Sequence, residues 1–266
     1  MRPGFRTRYE REVSRGLASV EPEVLVTEQE LSGLPSLLQA YLRRVGVVGR
    51  PRVRNFRVRF SGEMRPSHGS GWMKIRVDQH TFLGPDPARL FLMRASRFGI
   101  PFESFHRFVG PTATMQVRVA SLFQVVEARG PEMDQSETVT FFNDLCLLAP
   151  AALLEVDVRW EEGPGRTLKG TFHHQGHCVA AVLRFDDQGD LADFRSEDRY
   201  QSADGKTYLN YPWSTPIRKY GGFEGFHLMV EGDAIWQEPA GPFPYARFRV
   251  GEIAYNVGPR PEEGAP

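Results

Sequence analysis

The sequence predicts an α+β, mainly β protein: one large, curved, half-barrel-like antiparallel sheet, with two N-terminal helices packed against it and one helix crossing its concave face. Three observations carry this. Apolar residues recur at helical spacing up to about residue 50 and at spacing two from residue 52 onward. The dipeptides Gln175-Gly176, Gln188-Gly189, Asp204-Gly205 and Gly232-Asp233 read as turns that separate strand-like runs with no helix between them, which is a meander and not the rhythm of a parallel sheet. One segment, residues 136–149, returns to helical spacing in the middle of the strands. The expected organisation is a helical segment over 1–50 packed on the main domain, a β domain over 51–257, and a disordered tail over 258–266.

Each element has a local reason. Phe5, Tyr9, Val13 and Leu17 recur every four residues and make one apolar helix face, with Arg6, Arg8, Arg11 and Arg15 largely off it. Thr27 and Glu30 have the spacing of a capping box. Pro35 suits the first turn of a second helix, whose face is Leu34, Leu38, Tyr41, Leu42 and Val45, and Gly46 suits its left-handed stop. Strands then show one buried and one wet face: Phe56, Val58 and Phe60 against Arg57 and Arg59, Met115, Val117 and Val119 against Gln116 and Arg118, and Leu154, Val156, Val158 and Trp160 against Glu155, Asp157 and Arg159. In the interrupting helix Val139, Phe142, Leu145 and Leu148 share a face, Ser136 is the expected N-cap and Pro150 the stop. The tail, Gly258 to Pro266, holds only Gly, Pro, Arg, Glu and Ala, too few apolar groups to pack.

Composition excludes several function classes. In 266 residues, 33 Lys+Arg balance 33 Asp+Glu, so the chain is not a generally basic nucleic-acid binder. Two cysteines, Cys146 and Cys178, support neither a disulfide framework nor a Cys-built zinc site. No apolar run approaches the ~18 residues of a membrane span, and the first residues lack the apolar centre of a signal peptide; the expectation is a soluble, cytoplasmic protein. Charge is nevertheless uneven, with 12 Arg against 6 Glu in residues 1–60. That basic N-terminus suits peripheral contact with an acidic membrane surface or partner, though an attraction between the two halves of one fold is the favoured reading. Walker, Gly-x-Ser-x-Gly and His-Glu-x-x-His signatures are missing, and no cofactor is expected.

Candidate functional residues lie in three places. The hairpin His173-His174-Gln175-Gly176-His177-Cys178 sets His174 opposite His177 on one face and His173 opposite Cys178 on the other. Zinc wants at least three protein ligands, so this divided set reads as a polar hairpin tip and no metal is expected. Asn143 and Asp144 sit in the apolar interrupting helix, where a carboxylate must pair, cap or act. The C-terminal stretch is rich in aromatic residues, among them Trp213, Tyr220 and Trp236, which either line a pocket or pair across strands; Thr215 lies in the same stretch.

Leu34-Pro35, Gly62-Glu63-Met64-Arg65, Phe141-Phe142-Asn143-Asp144 with Pro150, Phe185 to Gly189, and Trp213-Ser214-Thr215-Pro216 with Tyr220 resemble, in their order, an uncharacterised bacterial family, a domain of unknown function. The architecture is similar to the half-barrel of outer-membrane lipoprotein carriers, which hold acyl chains in an apolar concavity. Two functions follow as expectations. The leading one is a binding protein whose apolar cavity takes a lipid-like or other hydrophobic small molecule, with Asn143, Asp144, Trp213, Thr215, Tyr220 and Trp236 at the ligand. The alternative is a hydrolase or isomerase in which Asp144 and a histidine, His106, form an acid/base pair.

Overall fold

Period-two alternation runs through most of this chain as an antiparallel meander. The structure, a computed structural model, describes residues 4–17, 23–120 and 122–259. Three helical segments come first: α1 (Phe5–Gly16), α2 (Glu28–Leu31) and α3 (Ser36–Val45). Six strands follow, each hydrogen-bonded to the next: β1 (Asn55–Met64), β2 (Met73–Phe82), β3 (Ala88–Arg97), β4 (Ile100–Val109), β5 (Thr112–Val119) and β6 (Phe123–Arg129). Helix α4 (Pro131–Leu148) interrupts them and ends in a 3-10 turn, Pro150–Leu154. The chain then resumes as β7 (Asp157–Glu162), β8 (Thr167–His174), β9 (His177–Phe185), β10 (Leu191–Ser196), the short pair β11 (Tyr200–Gln201) and β12 (Leu209–Asn210), β13 (Trp213–Ser214), β14 (Ile217–Phe223), β15 (Phe226–Glu238) and β16 (Gly241–Tyr255). Fourteen strands join into one sheet, in the order β6-β5-β4-β3-β2-β1-β16-β15-β13-β10-β9-β8-β7 with β14 on β15. The strand pairs are antiparallel throughout the described residues.

The sheet curls around α4. Its two arms meet at the far side of the helix, where the ring of His174 on β8 packs against Phe108 on β4 and His177 Nε2 lies 2.8 Å from the Pro111 carbonyl. Helix α4 is therefore buried on every side, from Met133 to Leu148 with few breaks. Its end is tied off by two tyrosines. The Tyr41 hydroxyl of α3 donates to the Cys146 carbonyl at 2.8 Å, and the Tyr255 hydroxyl donates to that of Leu148. These are among the last carbonyls of the helix, which have no partner within it.

Helix α1 lies on the opposite, convex face. Alternation along β3 sends Leu90 and Leu92 outward to Phe5, Tyr9 and Leu17, with Phe105 of β4 and Phe82 of β2, while Arg89, Phe91 and Met93 face inward toward α4. The Thr27–Glu30 capping box forms, with the Thr27 N–H donating to the Glu30 carboxylate at 2.7 Å, and caps the single turn α2. Gly46 ends α3 at φ 87°.

Four expectations need correction. Helix α4 begins at Pro131, not at Ser136. Proline suits the first turn because its missing N–H is unpaired there anyway, and Glu132 and Asp134 favour the positive end of the helix. Ser136 is instead one turn inside, where its hydroxyl donates to the Glu132 carbonyl and accepts from the Tyr200 N–H at 2.9 Å. Gly232-Asp233 is not a turn but the middle of β15. The Asp233 N–H donates to the Pro216 carbonyl, an approach so close that a side chain at position 232 would press on that carbonyl. The reversal is made by Glu224 and Gly225, both at positive φ. Leu154 belongs to the 3-10 turn, and β7 starts only at Asp157. Pro35 stands just before α3, as its N-cap. The expected disordered tail lies, from residue 260 onward, outside the described residues.

The tyrosine clamp generates a prediction. Tyr41→Phe keeps the packing but leaves a buried carbonyl unpaired at the end of α4, and should lower stability by ~1–3 kcal/mol, read from the denaturant midpoint.

Candidate functional site

Between α4 and the concave face of β1–β5, β15 and β16 the side chains do not close, and a cavity of about 490 Å³ remains. Its most distinctive wall material is methionine. Met64, Met73, Met93, Met115, Met133 and Met229 all line it, which is every methionine of the sequence after Met1. They come from five strands and from α4. Methionine is unbranched and polarisable, so such a wall adapts to occupants of different shape. Phe91, Phe102 and Phe248 add rigid apolar surface.

One wall is polar, and it is the face of α4 that carries Glu137 and Asp144. Seven residues apart, they stand two turns apart on one side of the helix. Arg89 of β3 reaches both: its Nε donates to Asp144 at 2.6 Å and one terminal nitrogen donates to Glu137 at 3.0 Å. Gln79 of β2 completes the ring, accepting from Arg89 at 3.0 Å and donating to Asp144 at 2.7 Å. His106 of β4 closes it from the other side, with Nδ1 3.2 Å from Glu137. Burial opposes the charge on Glu137, but the Arg89 guanidinium and the His106 contact outweigh it and hold this carboxyl well below its usual range, at about 2. Burial likewise opposes charge on Arg89, and the two carboxylates overcome it, so its pKa is raised.

Two carboxylates around one guanidinium leave an excess of negative charge. Arg199 sits beside them: its Nε lies 3.2 Å from the Thr140 hydroxyl and its guanidinium lies 4.3 Å from the Trp213 ring centre and 4.9 Å from that of Trp236. The stacking is a cation–π arrangement that holds a cation in an otherwise apolar wall.

The structure brings most of the expected residues to this cavity. Asn143, Asp144, Trp213, Thr215, Trp236 and His106 all line it, and the Asn143 amide donates to the Thr215 hydroxyl at 2.7 Å, joining α4 to the strand end beyond β13. Two expectations fail. Tyr220 is not at the cavity. Its ring stacks on His227 and its hydroxyl donates to the Leu191 carbonyl at 2.8 Å, because its place on β14 turns it toward β10. Asp144 and His106 do not form the expected acid/base pair either, since Asp144 is engaged by Arg89 and Gln79 while His106 contacts Glu137. Arg89, Glu137, Gln79 and Arg199 were missed as site residues, as were the methionines. At the hairpin, the expected pairing of His174 with His177 and His173 with Cys178 forms. His174 packs among Phe108, Phe141 and Phe172, and burial there lowers its pKa to about 4, leaving it neutral.

Fold and site together define a class: a curved antiparallel sheet wrapped around a buried helix, with an apolar, methionine-lined internal cavity. A family of unknown function, DUF6544, matches residues 24–248, and the chain belongs to that family. No curated protein matches it. Among solved structures it is similar to a putative outer membrane lipoprotein-sorting protein domain from Vibrio parahaemolyticus, with 10% identity over 79% of this chain and 87% of that one and a TM-score of 0.41. It is also similar to a DUF1329 family protein from Desulfovibrio piger, with 12% identity over 84% and 93% of the two chains and a TM-score of 0.42. A LolA superfamily protein from Nitrosomonas europaea shares 10% identity over 86% and 94%, with a TM-score of 0.43. At these values none of the three says what this protein binds. Among the described residues, no helix is long and apolar enough to cross a membrane.

Arg89→Met removes the cation and leaves two buried carboxylates facing each other, and should cost ~3–5 kcal/mol. A pH dependence follows from Glu137. Because its folded pKa is depressed, its contribution is fully present above the unfolded carboxyl pKa near 4.5 and fades as pH falls toward about 2. The stability gap between the wild type and Glu137→Gln should therefore shrink between pH 5 and pH 2, a range denaturant titrations at several pH values cover.

Proposed function

We propose that this protein binds a flexible, hydrophobic small molecule, lipid-like in character, in the cavity between α4 and the sheet. The observation that carries this reading is the methionine lining. A core built for stability alone is filled with branched side chains at high density, whereas here six methionines surround about 490 Å³ of unfilled space. That volume lies within the ~300–1,000 Å³ of ordinary small-molecule sites. The polar wall of α4 supports a ligand with one polar end, for which Asn143, Thr215, Arg199 and the unpartnered Ser104 hydroxyl are hydrogen-bonding groups of the lining outside the Arg89 ring.

An acid–base enzyme is the weaker reading. A buried carboxylate held to a guanidinium by short hydrogen bonds is neutralised in place, and proton abstraction by Asp144 would have to break that pair first. The cytoplasmic location expected from the sequence belongs to the proposal too, and is supported by Cys178, a free, exposed thiol of the kind that persists in reducing compartments.

Titration with an environment-sensitive apolar dye tests the reading. Ala95 lines the cavity from β3, so Ala95→Phe should fill part of it and weaken the dye at least tenfold with the fold intact. Trp213→Ala should also weaken the dye. Its stability loss should fall short of the ~3–5 kcal/mol of a core aromatic, because a cavity wall lacks partners on one side. Unchanged dye affinity in both variants would overturn the proposal.

A further inference from the structure

The tips of two neighbouring hairpins carry an apolar patch that the fold does not use. Phe98 and Gly99 turn β3 into β4, and Ala120 and Leu122 lie between β5 and β6. Both tips stand at the same end of the sheet, since Phe102 pairs with Val119 and the Ala120 N–H donates to the Pro101 carbonyl at 2.8 Å. Phe98 is 91% exposed, Leu122 77% and Phe123 68%, with Ile100 and Val125 about half exposed beside them. Scattered exposed apolar residues are ordinary, but five large ones gather here on two adjoining turns and the strand ends beside them.

Cations surround it. The Arg97 guanidinium lies 5.4 Å from the Phe98 ring centre, and Arg118 stands two residues before the second tip. From there a groove of about 340 Å³ runs along the convex edge between α1 and β5, lined by Arg8, Arg11, Arg15 and Arg118. Its one carboxylate, Glu12, is already taken by Arg107 at 2.5 Å. Glu103 faces Arg94 and Arg118 across the strands, and Glu127 accepts from Gln124 at 2.7 Å. Among the described residues, no salt bridge joins Arg8, Arg11, Arg15, Arg97 or Arg118 to a carboxylate.

The cavity reaches the same end, because Arg97, Phe102 and Val125 belong to its lining as well as to the tips or their roots. We infer that the two tips dock on an anionic lipid bilayer, with Phe98, Leu122 and Phe123 entering the interface and the arginines contacting lipid headgroups. Apolar side chains at the tip with cations behind them match the layering of a membrane surface, apolar inside and negative outside. A soluble protein partner would not require that order. Docked in this way, the protein turns the near end of its cavity toward the lipid. That consequence rests on the hydrophobic-ligand reading, whereas the docking does not.

Co-sedimentation with vesicles tests it, using phosphatidylcholine alone and phosphatidylcholine mixed with phosphatidylglycerol. The wild type should bind the anionic vesicles, and added salt should weaken the binding. Phe98→Ser with Phe123→Ser should reduce it on the order of tenfold or more. Arg97→Gln with Arg118→Gln should reduce it on the order of fivefold per arginine. Phe98 and Phe123 are exposed and Arg97 and Arg118 half-buried, and near-UV circular dichroism checks that the variants are folded. The serine variant should still bind the apolar dye without vesicles, and Ala95→Phe should still bind vesicles, so failure of the docking and failure of the cavity reading are told apart. No binding to anionic vesicles, equal binding to neutral ones, or a wild-type dimer dissolved by the serine substitutions would overturn the proposal.

Discussion

A helix buried on every side must satisfy each of its polar groups inside the protein, and this constraint organises the molecule. Helix α4 brings Glu137, Asn143 and Asp144 into the interior, where an unpaired charge costs several kcal/mol. Arg89 and Gln79 from the strands answer the carboxylates, Thr215 answers the amide, and Tyr41 and Tyr255 answer the last carbonyls. Each partner has its own reach, and together they fix how far the helix stands from the strands.

The cavity follows from that spacing. Where α4 faces β8 to β10, phenylalanine rings stack on one another, as Phe142 does on Phe172 at 4.9 Å, and the interior is filled. On the other side, Arg89 and the carboxylates hold helix and strands apart by the length of a guanidinium. The space beside them is left open, with six methionines in its lining. Such a wall trades packing energy for adaptability, which makes sense where something other than protein is to fill the space.

The sheet was legible because period two is a local signal: Phe56, Val58 and Phe60 point inward and Arg57 and Arg59 outward, as their alternation implied. Turns with Gly at positive φ were equally local, and Gln175-Gly176 even placed its four flanking residues correctly. The start of α4 was not legible, because a helix buried all round has no amphipathic edge and Ser136 imitates a cap. Asp144 stood out as a charge in an apolar helix, but its partner Arg89 lies 55 residues away on a strand, one arginine among 29. The methionines are spread from Met64 to Met229, and only the curl of the sheet gathers them. Tyr220 was misplaced because aromatic content says nothing about which way a strand's side chain turns.

The central claim is that the methionine-lined space is a ligand site and not a packing defect. Native mass spectrometry of the protein purified from cells tests it most directly. The account predicts a species heavier than the bare chain, whose extra mass is released on denaturation and extracts into organic solvent. A spectrum showing only the bare chain, both as purified and after incubation with fatty acids and phospholipids, would contradict it.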